Sequence, residues 1–162
     1  MSYRLEIKWG IIFSLALLLW MVFEKAMGWH STKIEVHAIY TNFFAVVAIA
    51  IYVFALFDKR RKMLGSMRWK QGFFFGMRIT IVITLLSPLS QWIISEIITP
   101  EYFPNVIAYV VENGKMTLEE AEAYFSLKNY IIQSTAGALL MGLVTSAIVA
   151  LFIQKRHPEM LG

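Results

Sequence analysis

The sequence contains no cysteine among its 162 residues. This absence excludes a disulfide framework, a thiolate metal site and a cysteine nucleophile. Charged residues are also scarce, at 16% of the chain, whereas hydrophobic residues make up 58%. The mean hydropathy is +0.60. A chain this apolar, with its hydrophobic residues in long runs, is typical of an integral membrane protein.

Four apolar segments are each long enough to cross a bilayer, since a spanning helix needs about 20 residues at a rise of about 1.5 Å per residue. We predict them at about 9–29, 36–57, 71–98 and 131–153. The first follows Arg4 and Lys8, as in a secretory signal, but bulky Met27 and Trp29 flank any small-residue cleavage site. We therefore interpret it as an uncleaved signal anchor. The prediction is one all-α membrane domain over 1–162, an integral four-helix bundle.

The positive charges lie at one side of these segments. Eleven of the fifteen basic residues fall there, namely Arg4, Lys8, Lys59, Arg60, Arg61, Lys62, Arg68, Lys70, Arg78, Lys155 and Arg156. Because basic residues near membrane ends are retained in the cytoplasm, we predict that both termini and the 58–70 loop are cytoplasmic. The run of four basic residues at 59–62 then indicates orientation, and we expect no nucleic-acid partner.

The connection 99–130 is long enough to contain structure of its own. Asn113-Gly114 predicts a turn. Thr117 followed by Glu120 predicts a helix start stabilised by a capping box. We therefore expect an extracytoplasmic helical hairpin between the third and fourth spans.

Small residues recur every four positions along the fourth segment, at Ser134, Ala138, Gly142 and Ser146. This spacing lets a second helix backbone approach closely, and the hydroxyls can bond across the contact. The pattern favours a helix-packing seam inside the bundle, with a dimer seam or a substrate groove as alternatives.

Polar side chains share one face of the second segment and one face of the third. They are His37, Thr41 and Asn42 on the second segment and Thr84, Ser87 and Gln91 on the third. These faces either line a polar cavity or pack dry against neighbouring helices.

Arg78 lies eight residues beyond Lys70, which corresponds to about 12 Å along a helix. Its long side chain can reach back to the headgroups. We therefore interpret Arg78 and Lys70 as a candidate lipid-phosphate contact, with a buried functional charge as the alternative.

Carboxylates and imidazoles fall at the opposite side of the membrane, and Glu24, His30 and Glu96 form a candidate outer cluster. Such groups can bind a transition metal, relay protons or sense pH. The His30-x6-His37 spacing is not diagnostic of a metal site, and no phosphate loop, zinc-protease motif or nucleophile elbow is found. We expect interfacial polar residues with no metal, no cofactor and no catalysis, and the metal and protonation roles remain alternatives.

The chain resembles a Bacteroidota membrane family known as domain of unknown function 4199. The resemblance covers about residues 6–156 and is found in the stretches EIKWGIIFSLALLLWM, EKAMGWH, HAIYTNFFA, KQGFFFG, LSPLSQ, ITPEYFPN, ENGKMTLEEAEAYF and MGLVTSAIVALF. It implies a small four-span protein of a bacterial inner (cytoplasmic) membrane. The family has no established activity, so the resemblance implies no catalytic residue.

Two functions of different classes are consistent with these features. The first is a non-catalytic scaffold or accessory subunit that contacts a partner membrane protein, or forms a homodimer, through the fourth segment and the outer hairpin. The alternative is a small transporter or lipid-handling protein that uses the polar cavity. In either case membrane lipid surrounds the chain.

Overall fold

The computed structural model describes residues 3–155, and this part of the chain is helical apart from turns and one backbone bridge. The helices are α1 (Arg4–Ala26), α2 (Ile34–Tyr40), α3 (Phe44–Lys62), α4 (Trp69–Ile93), α5 (Tyr102–Glu112), α6 (Leu118–Tyr124) and α7 (Leu127–Ile153). A 3₁₀ turn (Thr41–Phe43) joins α2 to α3, and a π-helical segment (Ile94–Ile98) extends α4. Arg156, one of the basic residues assigned to the cytoplasmic side, lies outside the described residues.

Four helical segments are long and apolar enough to cross a membrane: Arg4–Ala26, Ile34–Lys62, Trp69–Ile98 and Leu127–Ile153. The predicted all-helical class and the four apolar spans are therefore confirmed. The second span combines α2, the 3₁₀ turn and α3.

The first span ends at Ala26, a few residues before the predicted boundary, because Gly28 closes the helix. Gly28 has a φ of +78°, a conformation that glycine adopts without steric cost. Its amide donates to the carbonyl of Lys25 at 2.9 Å, and the amide of Trp29 donates to the carbonyl of Glu24 at 3.1 Å. This is a Schellman motif, which satisfies the last carbonyls of α1.

The most extensive helix contact in the bundle joins α4 and α7. A Cβ on Gly76 would lie 2.6 Å from Oγ of Ser146, and a Cβ on Gly142 would overlap the side chain of Thr80. The Thr80 hydroxyl donates to the carbonyl of Gly76 at 3.0 Å and accepts from the hydroxyl of Tyr52 at 2.7 Å. The two helices therefore approach closely where one of them carries a glycine.

The small-residue seam of α7 faces α4 of the same chain. Besides Gly142 and Ser146, Ser134 accepts a hydrogen bond from Ser87 at 3.2 Å. Ala138 packs on the core that surrounds α4. The interpretation as packing inside the bundle fits this arrangement.

The two ends of the bundle differ in the groups that hold them. At one end, called here the basic end, the start of α1, the α3–α4 loop and the end of α7 meet. Lys8 lies 3.4 Å from Asp58, Arg60 donates to the carbonyl of Ile153 at 2.8 Å, and residues 67 and 155 exchange backbone hydrogen bonds of 2.8 and 2.9 Å. The end of α1, the start of α2 and the helices α5 and α6 form the opposite end, called here the hairpin end.

Helices α5 and α6 pack on each other through Val106, Val110 and Ala121. The capping box at the start of α6 has the geometry that the sequence predicts. The amide of Glu120 donates to the hydroxyl of Thr117 at 3.3 Å, and the amide of Thr117 donates to the Glu120 carboxylate at 2.9 Å. These hydrogen bonds lower the pKa of Glu120 below its usual value.

Candidate metal-binding group at the hairpin end

The side chain of Glu24 is completely buried near the end of α1. A buried carboxylate is costly unless several donors satisfy its oxygens. The indole of Trp20, one helical turn earlier, donates to Oε1 of Glu24. The other oxygen, Oε2, lies 2.9 Å from Nε2 of His30 and 3.3 Å from Nε2 of His37.

The two imidazoles reach the same carboxylate from different elements. His30 lies in the turns after Gly28 and is buried, whereas His37 lies on α2 and is 18% exposed. Their ring centroids are 4.9 Å apart. We call Glu24, His30 and His37 the Glu24 group.

Helix α5 supplies the next layer around the Glu24 group. The Tyr102 hydroxyl lies 3.4 Å from Nδ1 of His37 and 3.3 Å from the hydroxyl of Tyr130. Asn105 donates from Nδ2 to the backbone carbonyl of His30 at 2.9 Å. Burial raises the pKa of the Tyr102 phenol above its usual value, so this phenol stays neutral at physiological pH. It therefore orients the His37 ring by hydrogen bonding alone.

The three residues of the Glu24 group each offer one ligand atom, and these atoms lie within 4.8 Å of one another. One carboxylate and two imidazoles form a donor set that suits Zn²⁺ and other first-row transition metals. Nδ1 of His30 is buried without a hydrogen-bond partner among the described residues. The His30 ring is therefore held by a hydrogen bond at Nε2 but not at Nδ1. Moving its proton from Nε2 to Nδ1 breaks no hydrogen bond at Nδ1.

The structure divides the sequence-predicted outer cluster. Glu24 and His30 lie together, while Glu96 is exposed on the π-helical segment and is not part of the Glu24 group. His37, which the sequence assigned to the polar cavity, joins them instead. His37 lies one helical turn before Thr41, whose amide donates to the carbonyl of His37. At that position its ring reaches the carboxylate of Glu24 instead of the cleft.

A cleft of about 320 Å³ is present between α1, the start of α3, α4 and α7. Of the six predicted cavity residues, Thr41, Asn42 and Ser87 line it. Thr84 does not, and its hydroxyl is buried without a partner among the described residues. Gln91 donates to Ser95 at 3.0 Å.

The face of α4 that lines the cleft is rotated from the predicted face. It carries Ile83, Ser87 and Ser90, so that Ser87 is common to both. Hydroxyls of Ser14, Ser134 and Thr145 complete a lining that is otherwise apolar.

Arg78, the predicted lipid-phosphate contact, is paired within the protein. Its Nη1 lies 3.5 Å from Oε1 of Glu6, and the Glu6 side chain is only 5% exposed. The guanidinium also lies 5.7 Å from the ring centre of Tyr3. Lys70 is exposed at the basic end, apart from this pair. The ion pair accounts for the charge of Arg78 without a lipid.

Sequence reasoning missed Trp20, Tyr102 and Asn105 as parts of the site. Trp20 has a detectable signal, because positions four apart on a helix are neighbours. Tyr102 and Asn105 have none, since only the folding of α5 against α2 brings them to the imidazoles.

Four helices long and apolar enough to cross a membrane are typical of a polytopic membrane protein. The sequence matches the family described as protein of unknown function DUF4199 over residues 8–155. The chain therefore belongs to that family, as the resemblance implies. No curated protein matches the chain, and no solved structure matches it.

Proposed function

We propose that this chain is a non-catalytic accessory protein of a bacterial inner membrane, and that it binds a divalent transition metal ion at its hairpin end. The observation that supports the proposal is the buried Glu24 group, with its three ligand atoms within 4.8 Å of one another. Among the described residues, its other side-chain hydrogen-bond partners are Trp20 and Tyr102, neither of which is an activated nucleophile. Binding is therefore favoured over catalysis.

The charge distribution supports an orientation with both termini in the cytoplasm. The basic end gathers Lys8, the 59–62 run and Lys155, through the contacts that join α1, α3 and α7. Basic residues near span ends are retained in the cytoplasm. This orientation puts the Glu24 group and the α5–α6 hairpin on the extracytoplasmic side, where metal ions arrive from the cell exterior.

The geometry of the Glu24 group is close to that of a tetrahedral zinc site. With metal–ligand distances near 2.0–2.1 Å, adjacent ligand atoms lie about 3.3 Å apart. Glu24 Oε2 and His37 Nε2 are already 3.3 Å apart, and the distance to His30 Nε2 is 2.9 Å. Two of the three distances between ligand atoms are therefore near the tetrahedral value, and the third lies within 4.8 Å. Water can serve as the fourth ligand.

Ion binding also changes the charge of the group. With both imidazoles neutral, the buried group carries the single negative charge of Glu24. A divalent cation bound at Nε2 of both rings leaves each imidazole protonated at Nδ1, and the carboxylate then offsets one of the two positive charges of the ion. Tyr102 then accepts from Nδ1–H of His37, the second-layer contact that commonly orients a metal-binding histidine.

The test is a metal titration of the purified full-length chain in mild detergent. Co²⁺ reports tetrahedral binding by its visible absorption, and competition with Zn²⁺ gives the affinity. We expect one ion per chain, and we expect Glu24→Gln and His37→Ala to abolish binding. Glu96→Gln is the matched control, because it removes an exposed carboxylate at the same end and leaves the group intact.

Metal-free melting temperatures of each variant separate loss of binding from loss of fold. A titration in which Glu24→Gln and Glu96→Gln bind the same amount of Co²⁺ would refute the proposal. So would a parent chain that binds no ion while its melting curve shows it folded.

A second candidate function, the handling of a lipid or small apolar solute, is favoured by the cleft of about 320 Å³. Its volume lies within the range of ligand pockets, about 300–1,000 Å³. Gly137 lines the cleft, and a Cβ there would meet nothing within 4 Å. Gly137→Leu therefore starts its side chain in open space and reduces the volume of the cleft.

Native mass spectrometry of the parent chain and of Gly137→Leu tests this candidate. We expect a bound solute in the parent that is lost from the variant, while the exposed substitution Leu140→Met keeps it. Equal retention by the parent and Gly137→Leu would eliminate the cleft as the binding site.

A further inference from the structure

A second cavity, of about 580 Å³, lies at the basic end between the start of α1 and the end of α3. Its lining consists of two cations, one carboxylate and three aromatic rings. These residues are Lys8, Trp9, Phe54, Phe57, Asp58 and Arg61. Neither the Glu24 group nor the cleft near Gly137 shares a residue with it.

Among the described residues, only one of the two carboxylate oxygens of Asp58 has a hydrogen-bond partner. Nε1 of Trp9 donates to Oδ2 of Asp58 at 3.1 Å, and Nζ of Lys8 lies 3.4 Å from the same oxygen. The other oxygen, Oδ1, has no partner among residues 3–155, and the side chain is 27% exposed. One carboxylate oxygen of the cavity is therefore open to a donor from outside.

The cations of the cavity have spare donors as well. The Lys8 side chain is 55% exposed, and its ammonium carries three donors, of which Asp58 engages one. Arg61 is exposed, in contrast to its neighbour Arg60, whose guanidinium donates to the carbonyl of Ile153. The cavity thus offers both an acceptor for a cation and donors for an anion.

The aromatic side of the cavity faces an apolar environment. Phe54 lies one helical turn from Asp58, towards the interior of the span, and is 62% exposed. Because α3 is part of a candidate membrane span, an exposed phenyl ring at this position contacts lipid acyl chains. Polarity therefore changes along α3 from charged at Arg61 to apolar at Phe54, as it does along a phospholipid from headgroup to chain.

We propose that this cavity binds the headgroup of an aminophospholipid, a phosphodiester with a primary ammonium group. The phosphate lies between Lys8 and Arg61, the ammonium donates to Oδ1 of Asp58, and the acyl chains pass Phe54. A headgroup without a cation leaves Oδ1 of Asp58 without a donor beside a phosphate. A quaternary ammonium has no N–H group to donate, so phosphatidylcholine is a weaker ligand than phosphatidylethanolamine.

The test uses the full-length chain in nanodiscs that contain equal amounts of phosphatidylethanolamine, phosphatidylglycerol and phosphatidylcholine with the same acyl chains. Lipids that stay bound are identified by native mass spectrometry. We expect phosphatidylethanolamine to be retained several-fold over phosphatidylcholine. Asp58→Asn should lower its retention to the phosphatidylcholine level without lowering that of phosphatidylglycerol.

Two further variants report the phosphate side of the cavity and its specificity. Lys8→Gln combined with Arg61→Gln should reduce the retention of both phosphatidylethanolamine and phosphatidylglycerol. Lys70→Gln removes an exposed charge at the same end and should change neither. Asp58→Glu keeps the carboxylate and should keep the preference, which separates loss of charge from loss of fold.

Three results would each overturn the proposal. The first is a parent chain that retains the three lipids equally, and the second is an unchanged preference in folded Asp58→Asn. The third is displacement of the lipid by an equal concentration of soluble phosphoethanolamine, which would assign the cavity to a free solute rather than to a lipid.

Discussion

Gly142 is the position at which the packing of α4 on α7 is most sensitive to a single methyl group. A Cβ there would lie 2.6 Å from Oγ1 and 3.0 Å from Cβ of Thr80. Thr80 cannot move aside easily, because a β-branched side chain has restricted χ1 freedom and its hydroxyl bonds to Gly76 and Tyr52. We predict that Gly142→Ala destabilises the bundle.

The magnitude follows from two opposing effects. Overpacking a well-filled interior costs about 1–3 kcal/mol, while alanine is favoured over glycine inside a helix by about 1 kcal/mol. Gly137 of the same helix gains the second effect alone, because a Cβ there meets nothing within 4 Å. Gly137→Ala should therefore be more stable than Gly142→Ala by about 1–3 kcal/mol.

Equilibrium unfolding in mixed micelles of mild detergent and dodecyl sulfate, followed by circular dichroism, measures this difference. Thr80→Ser removes the methyl group that a new Cβ at 142 would meet and keeps the hydroxyl, so it should restore part of the stability lost in Gly142→Ala. Equal unfolding free energies for the two alanine variants would refute the packing derived for α4 and α7. A stable Gly142→Ala variant that fails only to self-associate would instead place the seam between two copies.

Three further predictions concern the hairpin end. Gly28→Ala should weaken Co²⁺ binding more than Gly65→Ala, because Gly28 shapes the turn before His30 and Gly65, which also has a positive φ, lies at the other end of the bundle. Equal affinities of the two variants for Co²⁺ would contradict this. Tyr102→Phe should lower metal affinity by about 10–100-fold, as loss of a second-layer partner does, and the Co²⁺ titration measures it. The protection of the α6 amides against hydrogen exchange, relative to their intrinsic exchange rates, should fall as pH falls through the lowered pKa of Glu120, because the capping hydrogen bonds are strongest while that carboxylate is ionised. Glu120→Gln should remove this pH dependence, because the amide of Thr117 then has no titrating acceptor.

The sequence predicts the features of this fold that depend on local pattern. The four spans follow from the length of the apolar runs, and the start of α6 follows from Thr117 and Glu120. The end of α1 is also local, since glycine commonly follows the last turn of a helix. The predicted boundary at Trp29 lies a few residues beyond this end, because it rests on Glu24 and Lys25 reaching the headgroups and not on the position of Gly28.

The parts that sequence could not provide depend on which helix faces meet. Thr84 and Gln91 have the helical spacing of a cavity face, yet the cleft lies on the side of α4 that carries Ile83 and Ser90. The predicted and observed faces of α4 are offset by one residue. This offset corresponds to a rotation of about 100° about the axis of a helix with 3.6 residues per turn. Periodicity alone does not fix that rotation when the whole segment is apolar.

The two buried glutamates of α1 show how a structural ion pair differs from a binding group. Glu6 lies 3.5 Å from a guanidinium, which is charged at every physiological pH. Glu24 has as partners an indole and two imidazoles, which are cationic only when protonated. Glu6 is therefore neutralised by its own chain, whereas a divalent ion can compete with protons for the Glu24 group. Ionisable residues within membrane spans are rare and are candidates for functional sites, and a permanent internal ion pair gives Glu6 a structural role. By this criterion Glu24 is a stronger candidate for function than Glu6.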